Sequence, residues 1–181
     1  MKKTLKIYTK KDYSSNDGML TSVWGPALWH YLHTISFNYP VNPTDKDKRK
    51  YKKMIEILQY TLPCKYCRIN LTKNLKVLPL TNDVLKNRDS FSKYIYNLHE
   101  VVNKMLCKKS NLTYYQVRER YENFRSRCIN PIKITKTRKE KGCVKPFYGK
   151  KAKCVLSFVP ANKKCETIKI DKSVIKKRIF G

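Results

Sequence analysis

The sequence is short of acid. Its 181 residues carry 13 Asp plus Glu against 41 Lys plus Arg, a formal net charge of +28. Such a surface draws anionic partners through a salt-sensitive field, whether nucleic acid, anionic membrane or acidic proteins. No zinc-finger, RNA-recognition or helix-turn-helix pattern accompanies the charge, so contact with nucleic acid through the basic surface is expected to be nonspecific. The abundance of Lys, Asn, Ile and Tyr is also what an AT-rich coding sequence yields without selection for a ligand. A run of about 18 apolar residues, enough to span a membrane, is missing. The first seven residues, Met1-Lys2-Lys3-Thr4-Leu5-Lys6-Ile7, lack the apolar core of a secretory signal. The expectation is a soluble intracellular protein that does not enter a membrane. There is no internal repeat. A single Cys-x-x-Cys is present, and no second short-spaced Cys or His pair completes a tetrahedral set, so no metal site is expected.

What is present is enough for a folded domain. Hydrophobic residues make up 41% of the chain, and the length suits one domain of roughly 100 to 150 residues with an appendage. Seven cysteines are many for a reducing compartment, which favours catalytic or transient thiol chemistry over a framework of structural disulfides. The odd count leaves at least one thiol unpaired or joined between chains.

Residues 1–21 are polar and basic, include the turn-forming run Ser14-Ser15-Asn16-Asp17-Gly18, and read as an arm. Helical spacing follows. Trp24, Leu28, Leu32, Ile35 and Tyr39 mark a helix with Pro26 in its first turn and Pro40 at its end. A second starts around Pro43-Thr44-Asp45 and aligns Tyr51, Met54, Ile55, Leu58 and Leu62. A third, over about 64–75, aligns Cys67, Leu71 and Leu75, which puts Cys67 on the buried side and Cys64 nearer the rim. A fourth runs over about 90–106 with Phe91, Tyr94, Ile95, Leu98, Val101, Val102 and Met105 on its apolar face. Thr113-x-x-Gln116 is a capping box opening a fifth helix that carries Val117, Tyr121 and Phe124. The fold class is therefore all-α: a four-helix bundle plus a short fifth helix over 22–128, with a small basic C-terminal extension over 129–181. That extension holds 16 basic and three acidic residues and short strands at most, around 154–159 and 168–170.

Pro63-Cys64-Lys65-Tyr66-Cys67 is the strongest chemical signal. A thiol at a helix N-terminus is favoured as thiolate by the partial positive charge there, with Lys65 and Arg68 adding to it, which is how a redox dithiol is built. On spacing alone, half a zinc site and a pair of core thiols remain open beside it. Trp29 and His33 are one turn apart, as are His99 and Asn103. Singly, each reads as a half-buried helix residue. Together with the dithiol they suggest an aromatic heterocycle held between helices, its polar edges met by imidazole and amide groups.

These residues resemble the Erv/ALR flavin-linked sulfhydryl oxidases over about 24–124. Trp24-Gly25-Pro26-Ala27-Leu28-Trp29-His30-Tyr31-Leu32-His33-Thr34 with Tyr39-Pro40 resembles the family's first-helix motif. Leu62-Pro63-Cys64-Lys65-Tyr66-Cys67 resembles its active site, and Leu98-His99-Glu100-Val101-Val102-Asn103-Lys104-Met105-Leu106 its flavin motif. The resemblance implies FAD as cofactor, with Gly25, Trp29, His33, Tyr39, Cys67, His99, Asn103 and Lys108 binding it and Cys64 and Cys67 as catalytic thiols. Thiol-containing client proteins, dioxygen as electron acceptor, hydrogen peroxide as product and a homodimer are implied with it. Members from large DNA viruses look like this, which would place the protein in the host cytoplasm and the virion.

The departures are specific. Tyr96 and Tyr114 or Tyr115 stand where family members often have a structural disulfide, so tyrosine packing is expected to replace it. Glu100 replaces an asparagine of the flavin motif, and Cys107 stands where the family often has glycine. By family analogy a second cysteine pair relays electrons. Cys107, Cys128, Cys143, Cys154 and Cys165 are the candidates, with Cys143 and Cys154 the first choice and a structural disulfide the alternative. Lys65, Arg68, Lys104 and Lys108 are candidates to stabilise thiolate or pyrophosphate, against the plainer role of solvated surface lysine or arginine. The competing class is a zinc-dependent nucleic-acid or interaction module; a third is a flavin-fold scaffold without catalysis. The net charge leads us to expect a client with an acidic surface.

Overall fold

The computed structural model describes residues 9–129, 142–147, 150–163, 166 and 168–174. Among the described residues, six helices and one two-stranded ribbon form in the order α1 (Lys10–Tyr13), α2 (Thr21–Phe37), α3 (Asp45–Thr61), α4 (Lys65–Val77), α5 (Arg88–Met105), α6 (Tyr114–Glu122), β1 (Ser126–Ile129) and β2 (Gly142–Pro146). The four-helix bundle is α2 to α5: α2 packs on α5, α3 on α4, and α4 on α5, while the short α6 lies against α2 and α5.

Local chemistry fixes the helix starts. Thr44 accepts from the Asp47 N–H and Asp47 returns to the Thr44 backbone, a reciprocal cap that opens α3. Asn87 with Ser90 does the same for α5, and Thr113 with Gln116 for α6 as the sequence indicates. Pro26 lies at the sixth residue of α2, not in its first turn, because the helix begins earlier, at Thr21. The N–H that proline lacks would have bonded near the exposed start of the helix, where water can satisfy the freed carbonyl. The helix stops at Phe37, so Tyr39 lies beyond it.

One cluster fills the bundle. Leu32, Ile55, Leu71, Phe91, Ile95 and Leu98 are buried together, with Tyr39 tucked among Tyr51 and Phe91. A smaller cluster of Phe37, Tyr114, Val117 and Tyr121 ties α6 to α2. Tyr96 and Tyr114 meet edge to face with centroids 5.9 Å apart. Tyr96 donates to the Leu112 carbonyl, and the Tyr114 hydroxyl bonds with Ser92. Tyrosine packing thus links α5 to α6 as expected from the missing cysteines. Met105 and Phe124, read as apolar-face residues, are instead substantially exposed, since both sit at or past a helix end.

The extension differs from expectation. Its strands are β1 and β2, antiparallel with Ser126 opposite Pro146 and Ile129 opposite Gly142. Residues 154–159 form no strand, and Val155, Leu156 and Phe158 stand exposed. The boundary drawn at 128 falls inside β1. The Phe147 N–H on the Arg125 carbonyl fastens the ribbon near the end of α6, and Arg127 over the Phe147 ring ties β1 to the end of β2. Cys165 and the side chain of Cys128 lie outside the described residues.

Candidate active site

Pro63 lies in the short connection from α3 to α4 and Cys64 takes the N-cap position of α4, so the two thiols straddle a helix start. Cys64 Sγ accepts the Cys67 N–H at 3.2 Å. Both thiols are free. Hydrogen bonds hold Cys64 below its ordinary thiol value: chiefly from the Cys67 side chain, then from the Cys67 N–H, the Thr21 hydroxyl and the Tyr66 N–H, with slight burial opposing them. Cys67 moves the other way, pushed up first by burial and then by its Cys64 neighbour. Cys67 packs against the bundle core, as its helical position requires. The lowering at Cys64 comes from these hydrogen bonds and not from Lys65 or Arg68. The Arg68 guanidinium is committed to the Leu62 carbonyl, and Lys65 is exposed.

Residues 18–21, read from sequence as the end of an arm, belong to this site. The Met19 N–H donates to the Pro63 carbonyl at 2.8 Å, and the Met19 carbonyl accepts from the Trp24 indole at 3.0 Å. A side chain at Gly18 would put its Cβ 2.6 Å from the Pro63 carbonyl oxygen and 3.2 Å from the Cys64 Cα, so only glycine lies this close. The Thr21 hydroxyl is 3.9 Å from Cys67 Sγ. Such a contact spans 46 residues of chain and leaves no periodic trace in the sequence. The lone Gly18 beside a turn-forming run was its one visible sign.

The second half of the site joins α2 to α5. His33 Nε2 and His99 Nδ1 share a hydrogen bond of 3.0 Å. The Trp29 indole stacks on His99 with centroids 4.0 Å apart and an interplanar angle of 6°. Phe37 and Tyr121 stand beside His33, the Tyr121 ring 5.3 Å away, and the Tyr121 hydroxyl meets His30 Nδ1 at 3.3 Å. Burial first, then neighbouring charge, lowers His33 from 6.5 to about 3. Burial likewise lowers His99 to about 4, where the facing Lys108 also disfavours the charged ring and Glu100 opposes. Both imidazoles are neutral near pH 7. His33 Nδ1 is buried without a hydrogen-bond partner among the described residues. Leaving a buried polar atom unmatched costs about 1–3 kcal/mol, so this ring suits a ligand whose polar edge meets it. Trp29 and Cys67 pack against the same core cluster, which makes the aromatic and thiol halves neighbours of one core.

The remaining expected residues divide. Asn103 donates its amide to Glu100 at 3.0 Å, so the glutamate in place of asparagine holds its neighbour one turn on. Gly25 lies within α2, where a Cβ would meet only the Thr21 methyl at 3.7 Å. Protein packing therefore does not demand a glycine there, although glycine weakens a helix by about 1 kcal/mol. Tyr39 is committed to the core: it has no accessible surface and donates its hydroxyl to the Leu85 carbonyl. Lys108 lines a cavity of about 520 Å³ at the end of α5 with Glu100, Lys104 and Cys107. A cavity of about 630 Å³ at the start of α5 holds none of the expected site residues.

Cys107 explains its own oddity. The Lys108 N–H returns to the Asn103 carbonyl and the Cys107 N–H to Lys104, the paired bonds that close a helix through a left-handed residue, and Cys107 has φ 54°. Glycine is the usual occupant of such a position. Of the distal cysteines, Cys143 is disulfide-bonded and Cys154 is a free, exposed thiol. The two are therefore not joined to each other, which corrects the expected pairing; Cys154 is exposed, and among the described residues its segment pairs with no strand. Among the described residues no three His, Cys, Asp or Glu side chains gather around one point. Among them, too, no helix is long and apolar enough to cross a membrane.

Comparison with known proteins follows the same residues. The model of the Erv1 / Alr family matches residues 26–122, more than half of the chain. A probable FAD-linked sulfhydryl oxidase of Acanthamoeba polyphaga mimivirus is 39% identical over 99 residues, covering 55% of this chain and 68% of that protein. The FAD-linked sulfhydryl oxidase ERV1 of Arabidopsis thaliana is 31% identical over 84 residues, and the chain spans only 42% of its length. The crystal structure of the yeast Erv1 core superposes with a TM-score of 0.51 at 22% identity, covering 66% of this chain and 94% of that one. The last likeness is one of fold.

Proposed function

Since the chain belongs to the Erv1/Alr family, we propose that it is an FAD-linked sulfhydryl oxidase that forms disulfides in client proteins through Cys64 and Cys67. The asymmetry of the dithiol carries the reading: one sulfur at the rim, hydrogen-bonded toward the thiolate, and one against the core that also packs Trp29. A client thiolate attacks Cys64 in the oxidised pair, the bond between Cys64 and Cys67 breaks, and Cys67 leaves as thiolate. A second client thiol attacks the mixed disulfide and releases Cys64, leaving the client oxidised and the pair reduced. Cys67, on the inner side, is the sulfur that delivers the two electrons onward.

Trp29, His33, His99 and Asn103 are the residues that would hold the flavin, with Gly25 admitting its close approach and Lys108 facing its phosphates; the unmatched His33 Nδ1 supports this fit. Bound there, the flavin would supply a two-electron acceptor that dioxygen reoxidises, with hydrogen peroxide as product. The neutral imidazoles offer hydrogen bonds without adding charge to a dry site. The same reading assigns catalysis to residues 22–128, joined by the residues 18–21 that pack on the dithiol. It also includes a homodimer, which the exposed Tyr31, Ile57 and Tyr60 support, and, from the mimivirus relative, a viral source acting in the host cytoplasm.

The test is a visible spectrum of the purified, dialysed protein before and after dithiothreitol in air, with peroxide assayed in the same sample. Flavin absorbance with peroxide formation is expected. Flavin without turnover would point to a binding scaffold, and a colourless protein would overturn the reading.

A further inference from the structure

We propose that Thr21 is the hydroxyl donor that holds the leaving Cys67 sulfur during thiol–disulfide exchange, and that residues 18 and 19 are the strap that keeps it there. The inference rests on the exchange chemistry proposed above, and concerns a residue outside all the motifs that suggested it. The placement is built, not incidental. The strap is pinned through both backbone groups of Met19: its N–H donates to the Pro63 carbonyl at 2.8 Å, and its carbonyl accepts from the Trp24 indole at 3.0 Å. Gly18 lies against Pro63 and Cys64 at a distance that no side chain would allow, since its Cβ would fall 2.6 Å from a backbone oxygen. That oxygen cannot swing aside as a side chain would, so a larger residue at 18 must lift the strap.

Thr21 follows directly, as the first residue of α2, and its hydroxyl reaches Cys67 Sγ at 3.9 Å. It favours the thiolate form of both cysteines. The charged groups on the thiols' own helix are not arranged to replace it, because Arg68 is bound to the Leu62 carbonyl and Lys65 is exposed. In the exchange step the client sulfur bonds to Cys64, the bond from Cys64 to Cys67 breaks, and its electron pair goes to Cys67. The Thr21 O–H then donates to the sulfur that gains the charge. Burial is the leading influence on Cys67 and disfavours its anion, so it is the thiol that most needs a donor.

The experiment measures iodoacetamide alkylation of the fully reduced, full-length protein under nitrogen, read separately at Cys64 and Cys67 by peptide mass. Rates are taken at neutral pH and at a pH high enough to ionise all thiols. No flavin turnover is involved, so the result stands apart from the oxidase reading. Thr21→Val should slow alkylation at neutral pH by about three- to tenfold, with the high-pH rate unchanged. Thr21→Ser should restore the neutral rate, and Gly18→Ala, which lifts the strap with Thr21 intact, should reproduce the loss. An unchanged neutral rate in Thr21→Val would overturn the proposal. Equal losses in the Val and Ser variants would overturn it too, since the hydroxyl would then not be the cause.

Discussion

At the start of α4 the Cys64 sulfur stands at the rim under hydrogen bonds that favour its charged form, whereas between α2 and α5 the rings of His33 and His99 are driven neutral by burial, to about 3 and about 4. Both sites border the same core. The difference lies in what each element end provides. A helix N-terminus leaves N–H donors unpaired, and those of Cys67 and Tyr66 turn to sulfur. The middle of two packed helices has no spare donors, so its polar rings pair with each other and leave His33 Nδ1 without a partner. One region is built to change charge, the other to keep polar atoms uncharged beside a ligand.

The comparison breaks first if the thiols are not the reacting groups. Cys67→Ser and Cys64→Ser should each lower thiol-dependent oxygen consumption by on the order of 1,000-fold, with flavin content retained. An oxygen electrode and the visible spectrum of the same preparation check both halves.

The next largest effect is on acid stability. Each imidazole takes a proton near 6.5 once unfolded but only near 3 or 4 when folded. The unfolded chain therefore binds more protons between these values. The stability this provides is complete above about pH 6.5 and is lost as the pH falls, by on the order of 3 kcal/mol for each ring by about pH 4.5. Denaturant titrations at pH 7, 5.5 and 4.5 should show the decline, and His33→Gln should flatten it. A curve as steep in the variant would mean that other groups set the trend.

A smaller change separates binding from chemistry. His33→Leu should reduce flavin per chain by about tenfold through loss of a buried hydrogen-bond partner, while alkylation of Cys64 stays as in the parent. Flavin content is read from absorbance and alkylation by mass. Loss of both together would show that the two regions are not separable.

The smallest effect concerns the end of α5. Cys107→Gly relieves a left-handed residue with φ 54° and should raise stability by about 1 kcal/mol. A thermal melt tests it, and a lower melting temperature would mean that the thiol makes a contact worth more than the strain.

How much of this was legible depended on whether a residue acts through periodicity. The α5 stripe of Phe91, Tyr94, Ile95 and Leu98 is wholly buried, and the α6 cap at Thr113 forms as its sequence indicates. Cys64 at the rim and Cys67 inside follow from spacing of the same kind. Tyr39 continues the α2 spacing after the helix has stopped at Phe37, and its ring is buried in the core as that stripe predicts. The strap escaped notice because its backbone, not its side chains, makes the contacts, and Gly18 shows only that something must pass close. The ribbon β1–β2 lay hidden because it depends on pairing between segments whose apolar alternation is weak, while the more apolar 154–159 stays exposed.

In the proposed relay, electrons leave the client through the inner sulfur, that of Cys67. Anaerobic rapid mixing of the flavin-loaded protein with dithiothreitol, followed by visible absorbance, tests it in the parent and in Cys67→Ser. Bleaching is expected in the parent and none over the same interval in the variant. Bleaching at the same rate in Cys67→Ser would contradict the relay.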